Sequence, residues 1–283
     1  MKRHLASALV GLGVLVGALP IGAIAQTHGV PPSLLNNIRR LDGDRLQVCL
    51  DTSGRTMQFD KAIAGLIAEA LFLEADFHEG FGGYPTSGDG FLDELQIAMT
   101  NSCDIMMGMT VQASSPFPEW ATLTRPYVSL PYVTIVRDDH ATLGDIGLDR
   151  PLGTALGSMG ERVFITWNQQ RPRDARYTRF PYADMELMAT RVLDGSIAGG
   201  VIWAPAWARL QETFPPARDL KAIPMTPIPD TVTRIGVLLK TRDSYLRSQI
   251  DQTIDALVAD GSIQALMDEF GYEGTPGDDS RAQ

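Results

Sequence analysis

Chemistry has few places to start in this chain. It holds two cysteines, Cys49 and Cys103, and four histidines, His4, His28, His78 and His140. No two of the histidines stand at metal-ligand spacing, and neither a Gly-x-Ser-x-Gly elbow nor a glycine-rich phosphate loop occurs. No metal and no cofactor is therefore expected, and recognition is the chemistry to look for. Asp51, Ser53 and Arg55 place a carboxylate, a hydroxyl and a guanidinium close together in one polar stretch. Met109-Thr110 closes an apolar run, and Arg125 stands in a Thr-Arg-Pro-Tyr segment. Ser158-Met159-Gly160-Glu161 has the make-up of a helix start, where backbone N–H groups can meet an anion or a serine can cap the helix. Trp203 offers a flat apolar face with one donor, suited either to stacking or to a core.

The elements that position these residues alternate. Leu46 to Leu50 reads as a buried strand, Lys61 to Leu73 has helical apolar spacing, and Ala75 to His78 is a second strand. Glycine-rich residues 80–90 lead to a helix over Phe91 to Thr100 and a buried strand over Asp104 to Met109. A second set follows Arg137-Asp138-Asp139. It has strands at Leu152 to Leu156, Thr178 to Phe180 and Gly199 to Trp203, and helices at Glu161 to Gln169, Ala183 to Leu193 and Ala206 to Thr213. Thr231 to Leu239 reads as a strand long enough to run between domains, and Ser244 to Phe270 as amphipathic helix broken near Asp260-Gly261. Such β-α-β runs favour a mostly parallel sheet covered by helices, here in two α/β lobes with the second inserted into the first.

The chain opens with an export pattern. Met1 to His4 is cationic, Leu5 to Leu19 is apolar and short, and Ala23-Ile24-Ala25 supplies small residues for cleavage after Ala25. The 283 residues carry a formal charge of −10; removing Lys2 and Arg3 leaves 22 basic against 34 acidic residues, a charge of −12. A balance so acidic excludes a general nucleic-acid binder, and no later apolar run is long enough to span a bilayer. In an oxidising compartment two lone cysteines are more often a disulfide than a metal pair, although two buried thiols are the alternative.

Several blocks in one order resemble the bacterial family 3 periplasmic solute-binding proteins. They are Cys103 to Thr110 ending in Gly-Met-Thr, Leu123 to Tyr127 with Pro131-Tyr132-Val133, Gly157-Ser158, and Ile254 to Leu257 through Gly261-Ser262-Ile263 to Phe270-Gly271. Val48-Cys49, Cys103-Asp104, Thr124 to Tyr127 and Val201 to Pro205 are similar, more narrowly, to the J-type proteins found beside quinoprotein methanol and alcohol dehydrogenases.

The resemblance implies a type II periplasmic-binding-protein fold whose two crossover segments act as a hinge. Lobe 1 would take 44–136 and 236–272 and lobe 2 would take 137–235. A signal (1–25) and an extension (26–43) would precede them, and 273–283 would be a disordered tail. Cys49 and Cys103 would lie on the first and third strands of that fold, which are neighbours, so a bridge is geometrically possible.

Amino-acid receptors of the family carry an Arg shortly after Gly-Met-Thr and an Asp at the end of the second-lobe strand. Here Val111 to Pro118 holds no Arg and the second position is Trp203, so a free amino acid would lack two charge-assisted contacts. Ligands in such a fold sit at the carboxyl ends of the strands. That places Asp51, Ser53, Arg55, Met109, Thr110, Ser158, Met159, Gly160, Glu161 and Trp203 along the cleft. Arg125 would be an anion partner or an ion pair between the lobes. The reading that follows is a non-enzymatic periplasmic partner of a quinoprotein dehydrogenase. An ABC-transporter receptor for a small organic solute, with an ABC permease as partner, is the alternative. A dehydratase using Glu161 or Asp51, as in some family relatives, is the remote one.

Overall fold

A computed structural model of the chain describes residues 43–51, 55–81, 90–111, 117–229 and 231–278. The export segment, residues 26–42, Ser53 and most of the glycine-rich loop lie outside these. Chain order gives β1 (Arg45–Asp51), α1 (Met57–Ala70), β2 (Glu74–Phe81), α2 (Phe91–Asn101), β3 (Ile105–Thr110), β4 (Ala121–Leu123) and β5 (Val128–Val136). There follow β6 (Leu152–Ala155), α3 (Met159–Gln170), β7 (Arg179–Tyr182), α4 (Met185–Leu193), β8 (Gly199–Trp203), α5 (Ala204–Thr213) and β9 (Lys221–Pro224). The chain returns through β10 (Val232–Lys240), α6 (Ser244–Ala259), α7 (Ser262–Glu269) and β11 (Thr275–Pro276).

The strands run in the order β2-β1-β3-β10-β5-β8-β6-β7. Strand β5 joins the two halves. Its first residues, Val128 to Pro131, pair antiparallel with β10, and from Tyr132 to Val136 they pair with β8 instead. The change of partner thus falls inside one strand, at Pro131/Tyr132. Pro131 and Tyr132 sit where one sheet must turn into the next, so period and composition carry no mark of the switch.

Each half has its own core. Leu46, Val48 and Leu50 of β1 meet Phe59, Ile63 and Ile67 of α1, with Ile250 and Ile254 of α6 on the same side. In the other half Met188, Val192, Ile202 and Trp207 pack on one side of the sheet, while Leu152, Phe164, Tyr177 and Val201 pack on the other. Each such side chain removed from water stabilises by roughly 1.5 to 3 kcal/mol, and helices on both faces are what a parallel sheet requires.

Cys49 and Cys103 are bridged, with Cα atoms 5.7 Å apart, under Phe91, Leu95 and Met99 of α2. Cys103 lies in the turn between α2 and β3 rather than on a strand, because the ladder with β1 begins only at Ile105. The expected disordered tail is also corrected for its first residues. Thr275 and Pro276 pair with Ser129 and Val128, Gly277 N–H donates to the Tyr127 carbonyl at 2.8 Å, and Asp278 meets Arg234 at 3.3 Å. Among the described residues no helix is long and apolar enough to cross a membrane.

Candidate functional site

The parallel strands of the two halves end toward a shared region, and its chemistry is built from both. On the first half the decisive group is Asp60, which no local motif marks. It lies on the buried stripe of α1 with Ile63, Ala64 and Ile67, so the helical period carries a carboxylate into the core. Thr56 Oγ1 donates to its Oδ2 at 2.8 Å and the Tyr127 hydroxyl donates to its Oδ1 at 2.5 Å. Gly108 N–H donates in turn to the Tyr127 oxygen at 3.1 Å. Gly108 has φ +80°, and a Cβ there would stand 2.8 Å from Asp60 Oδ2, so both conformation and space require glycine. Burial pushes the Asp60 carboxyl up to about 7 against the lowering effect of its two hydroxyl donors, and the Asp51 charge adds to the rise. Burial, followed by the neighbouring Asp60, holds the Tyr127 phenol well above its usual range. Phe59, Phe270 and Tyr272 close around this pair, with Phe59 and Phe270 edge to face at 5.6 Å.

On the second half the helix start at α3 is real and is already occupied. Ser158 caps the helix by accepting the Glu161 N–H at 3.1 Å. The ring of Tyr132 lies on Gly160, where any Cβ would come within 2.4 Å of it, and the Met159 and Gly160 backbone favours the charged form of its phenol without outweighing burial. Burial raises the Tyr132 phenol, so it stays neutral at the positive end of the helix. Tyr132 is also the cross-strand partner of Trp203. The Trp203 indole packs against the cores of both halves, and its Nε1 donates to the Leu130 carbonyl at 3.4 Å.

Several expected site residues are thereby placed. Asp51 ends β1 half-buried within electrostatic reach of Asp60, and Met109 and Thr110 end β3 opposite Gly236 and Ile235. Met159, Gly160 and Trp203 gather around Tyr132, and Ser158 caps α3 beside them. Two others are drawn elsewhere. Glu161, with only 7% of its side chain exposed, accepts from Thr154 Oγ1 at 2.8 Å, from Gly157 N–H at 2.7 Å and from Arg179. Arg125 pairs with Asp255, and its N–H donates to Asp251 at 2.8 Å; both carboxylates belong to α6, so this tie holds the crossover to a helix of the first half and does not link the lobes. Ser53 lies outside the described residues.

A cavity of about 450 Å³ opens between the halves. Arg55, Met57 and Gln58 line it from the start of α1, Arg209 and Glu212 from α5, and Phe270 and Tyr272 from the end of α7. Burial and the Asp60 charge push the Tyr272 phenol up to about 12. A second cavity of about 400 Å³ runs along the outer face of α3 beside Trp167 and Pro229. Among the described residues no group of His, Cys, Asp and Glu is placed to hold a metal ion. Arg209, Glu212 and Tyr132 were not expected from the sequence, because each takes its meaning from a residue far along the chain.

A polar amino acid ABC uptake transporter substrate-binding protein from Streptococcus thermophilus aligns at TM-score 0.62 and 16% identity over 83% of this chain and 89% of that one. An ancestral cationic amino acid solute-binding protein gives 0.59 at 18% identity over 80% and 95%. An ancestral cyclohexadienyl dehydratase gives 0.54 at 18% over 80% and 92%. No protein-family model matches the chain, and no curated protein matches it. The class defined by fold and topology is therefore the two-lobed α/β architecture of periplasmic solute-binding proteins.

Proposed function

We propose that the chain is a non-enzymatic periplasmic receptor for a small organic solute, which it presents to an ABC permease. The observation that carries the reading is a pair of separately cored halves, joined through β5 and β10, with a cavity of about 450 Å³ opening between them. Structural neighbours named as substrate-binding proteins of amino acid transporters support it. The export pattern at residues 1–25 supports the compartment.

Free amino acids of the usual kind are disfavoured. Their two charge partners are absent from Val111–Pro118 and from position 203, and Tyr132 fills the helix start that would meet a carboxylate. Glu161, tied to three donors, is poorly placed for acid–base work, so Glu161→Gln is expected to abolish no turnover. A thermal-shift screen of the mature chain against organic acids, amino acids and sugars tests the receptor reading. A solute at 100 times its Kd stabilises by about 2.7 kcal/mol, which in a protein of this size is roughly 5 to 10 °C. A flat screen contradicts it.

A second reading, an accessory of a quinoprotein dehydrogenase, draws on the Cys49–Cys103 bridge and on Trp203 followed by Ala204-Pro205. Tagged protein recovered from periplasm would carry the dehydrogenase with it under that reading, and transport components under the first.

A further inference from the structure

We infer that the cavity between α1, α5 and α7 binds a small organic acid with an apolar or aromatic body, its carboxylate held between Arg55 and Arg209. The inference rests on the receptor reading and names the solute class it would take. The cavity is of small-molecule size. Its two guanidiniums come from opposite halves, Arg55 ahead of α1 and Arg209 on α5.

Among the described residues neither has a carboxylate within ion-pair distance, whereas Arg125, Arg179 and Arg234 each have one. A carboxylate between two such forks receives charge-assisted bonds from both. Phe270 and Tyr272 form the wall beside them, backed by Phe59, and supply the apolar face. Glu212 leaves the cavity with one net positive charge, which matches a single carboxylate and rejects a second. Ala208 of α5 lies 3.9 Å from the position of a Cβ on Gly271, so the halves already touch at the cavity's edge. A ligand contacting both arginines therefore favours the closed arrangement of the halves.

Calorimetric titration of the mature chain tests this with phenylacetate and 4-hydroxybenzoate as probes and phenylacetamide as the uncharged counterpart. The acids are expected to bind, with the amide weaker by about 10- to 100-fold, the loss of one charge-assisted contact. Arg209→Gln and Arg55→Gln, both at exposed positions, are each expected to weaken the acids by about 10-fold or more. Arg191→Gln, on α4 away from the cavity, is expected to leave binding unchanged. Equal binding of acid and amide, or wild-type affinity in Arg209→Gln, overturns the inference while the receptor reading stands. Binding of a sugar or polar amino acid in place of both acids does the same. Silence of every probe and of the whole solute screen overturns both.

Discussion

Two buried carboxylates stand near helix starts in the two halves, and the fold treats them in opposite ways. Glu161 of α3 is met by Arg179, Thr154 and a backbone N–H, so its charge is matched where it lies. Among the described residues Asp60 of α1 is met by hydroxyls alone, from Thr56 and Tyr127, and has the Asp51 charge for a neighbour. The first is a structural ion pair that fixes α3 to β6 and β7. The second is a desolvated acid under the cavity wall, held near its point of ionisation. Burial alone therefore says little about a carboxylate's role; the partners decide it.

Asp60 has a folded pKa near 7, raised from 3.8, so its contribution to stability is full below about pH 4 and is lost as pH rises through 7. Wild-type stability is expected to fall by on the order of 4 kcal/mol across that window from this group. Asp60→Asn keeps an acceptor without the titration. Chemical denaturation at pH 4, 6 and 8 should show a flatter profile for the variant, and parallel profiles would refute the assignment.

Removing the bridge with Cys49→Ala and Cys103→Ala frees a loop spanning 54 positions and is expected to cost about 4 kcal/mol, read from the denaturation midpoint. The loss should appear at every pH, unlike that of Asp60.

Arg179→Met strands Glu161 in the core. Because Arg179 is itself 30% exposed and water reaches the gap, the expected cost is about 3 kcal/mol at neutral pH. Smallest is Ser158→Ala, which removes the α3 cap for about 1 kcal/mol. Thr56 at the start of α1 makes no such cap and spends its hydroxyl on Asp60.

Much of the scaffold was legible from pattern alone. Gly199 to Trp203 has the span its buried run implied, the break at Asp260-Gly261 divides α6 from α7, and Ser158 caps the helix its spacing announced. The cysteine pair followed from compartment and number. What escaped notice depends on residues distant in sequence. Nothing local in Val128–Val136 says that its partner changes at Tyr132, and β11 exists only because Ser129 and Val128 present an open edge to it. Arg55 stood out in the polar stretch after β1, whereas Arg209, which shares the cavity with it from more than half the chain away, carries no local signature. Asp60 did leave a signal: an acid at the i, i+3, i+4, i+7 positions of an apolar stripe is a buried acid by period alone.

The central claim is that the two halves close on a solute held between them. Small-angle X-ray scattering of the mature chain, with and without a saturating amount of the solute that gives the largest thermal shift, tests it most directly. The account expects the radius of gyration to contract on binding and the solute concentration that gives half of the contraction to rise about 10-fold or more in Arg209→Gln. A scattering curve unchanged by a solute shown to be bound would contradict it.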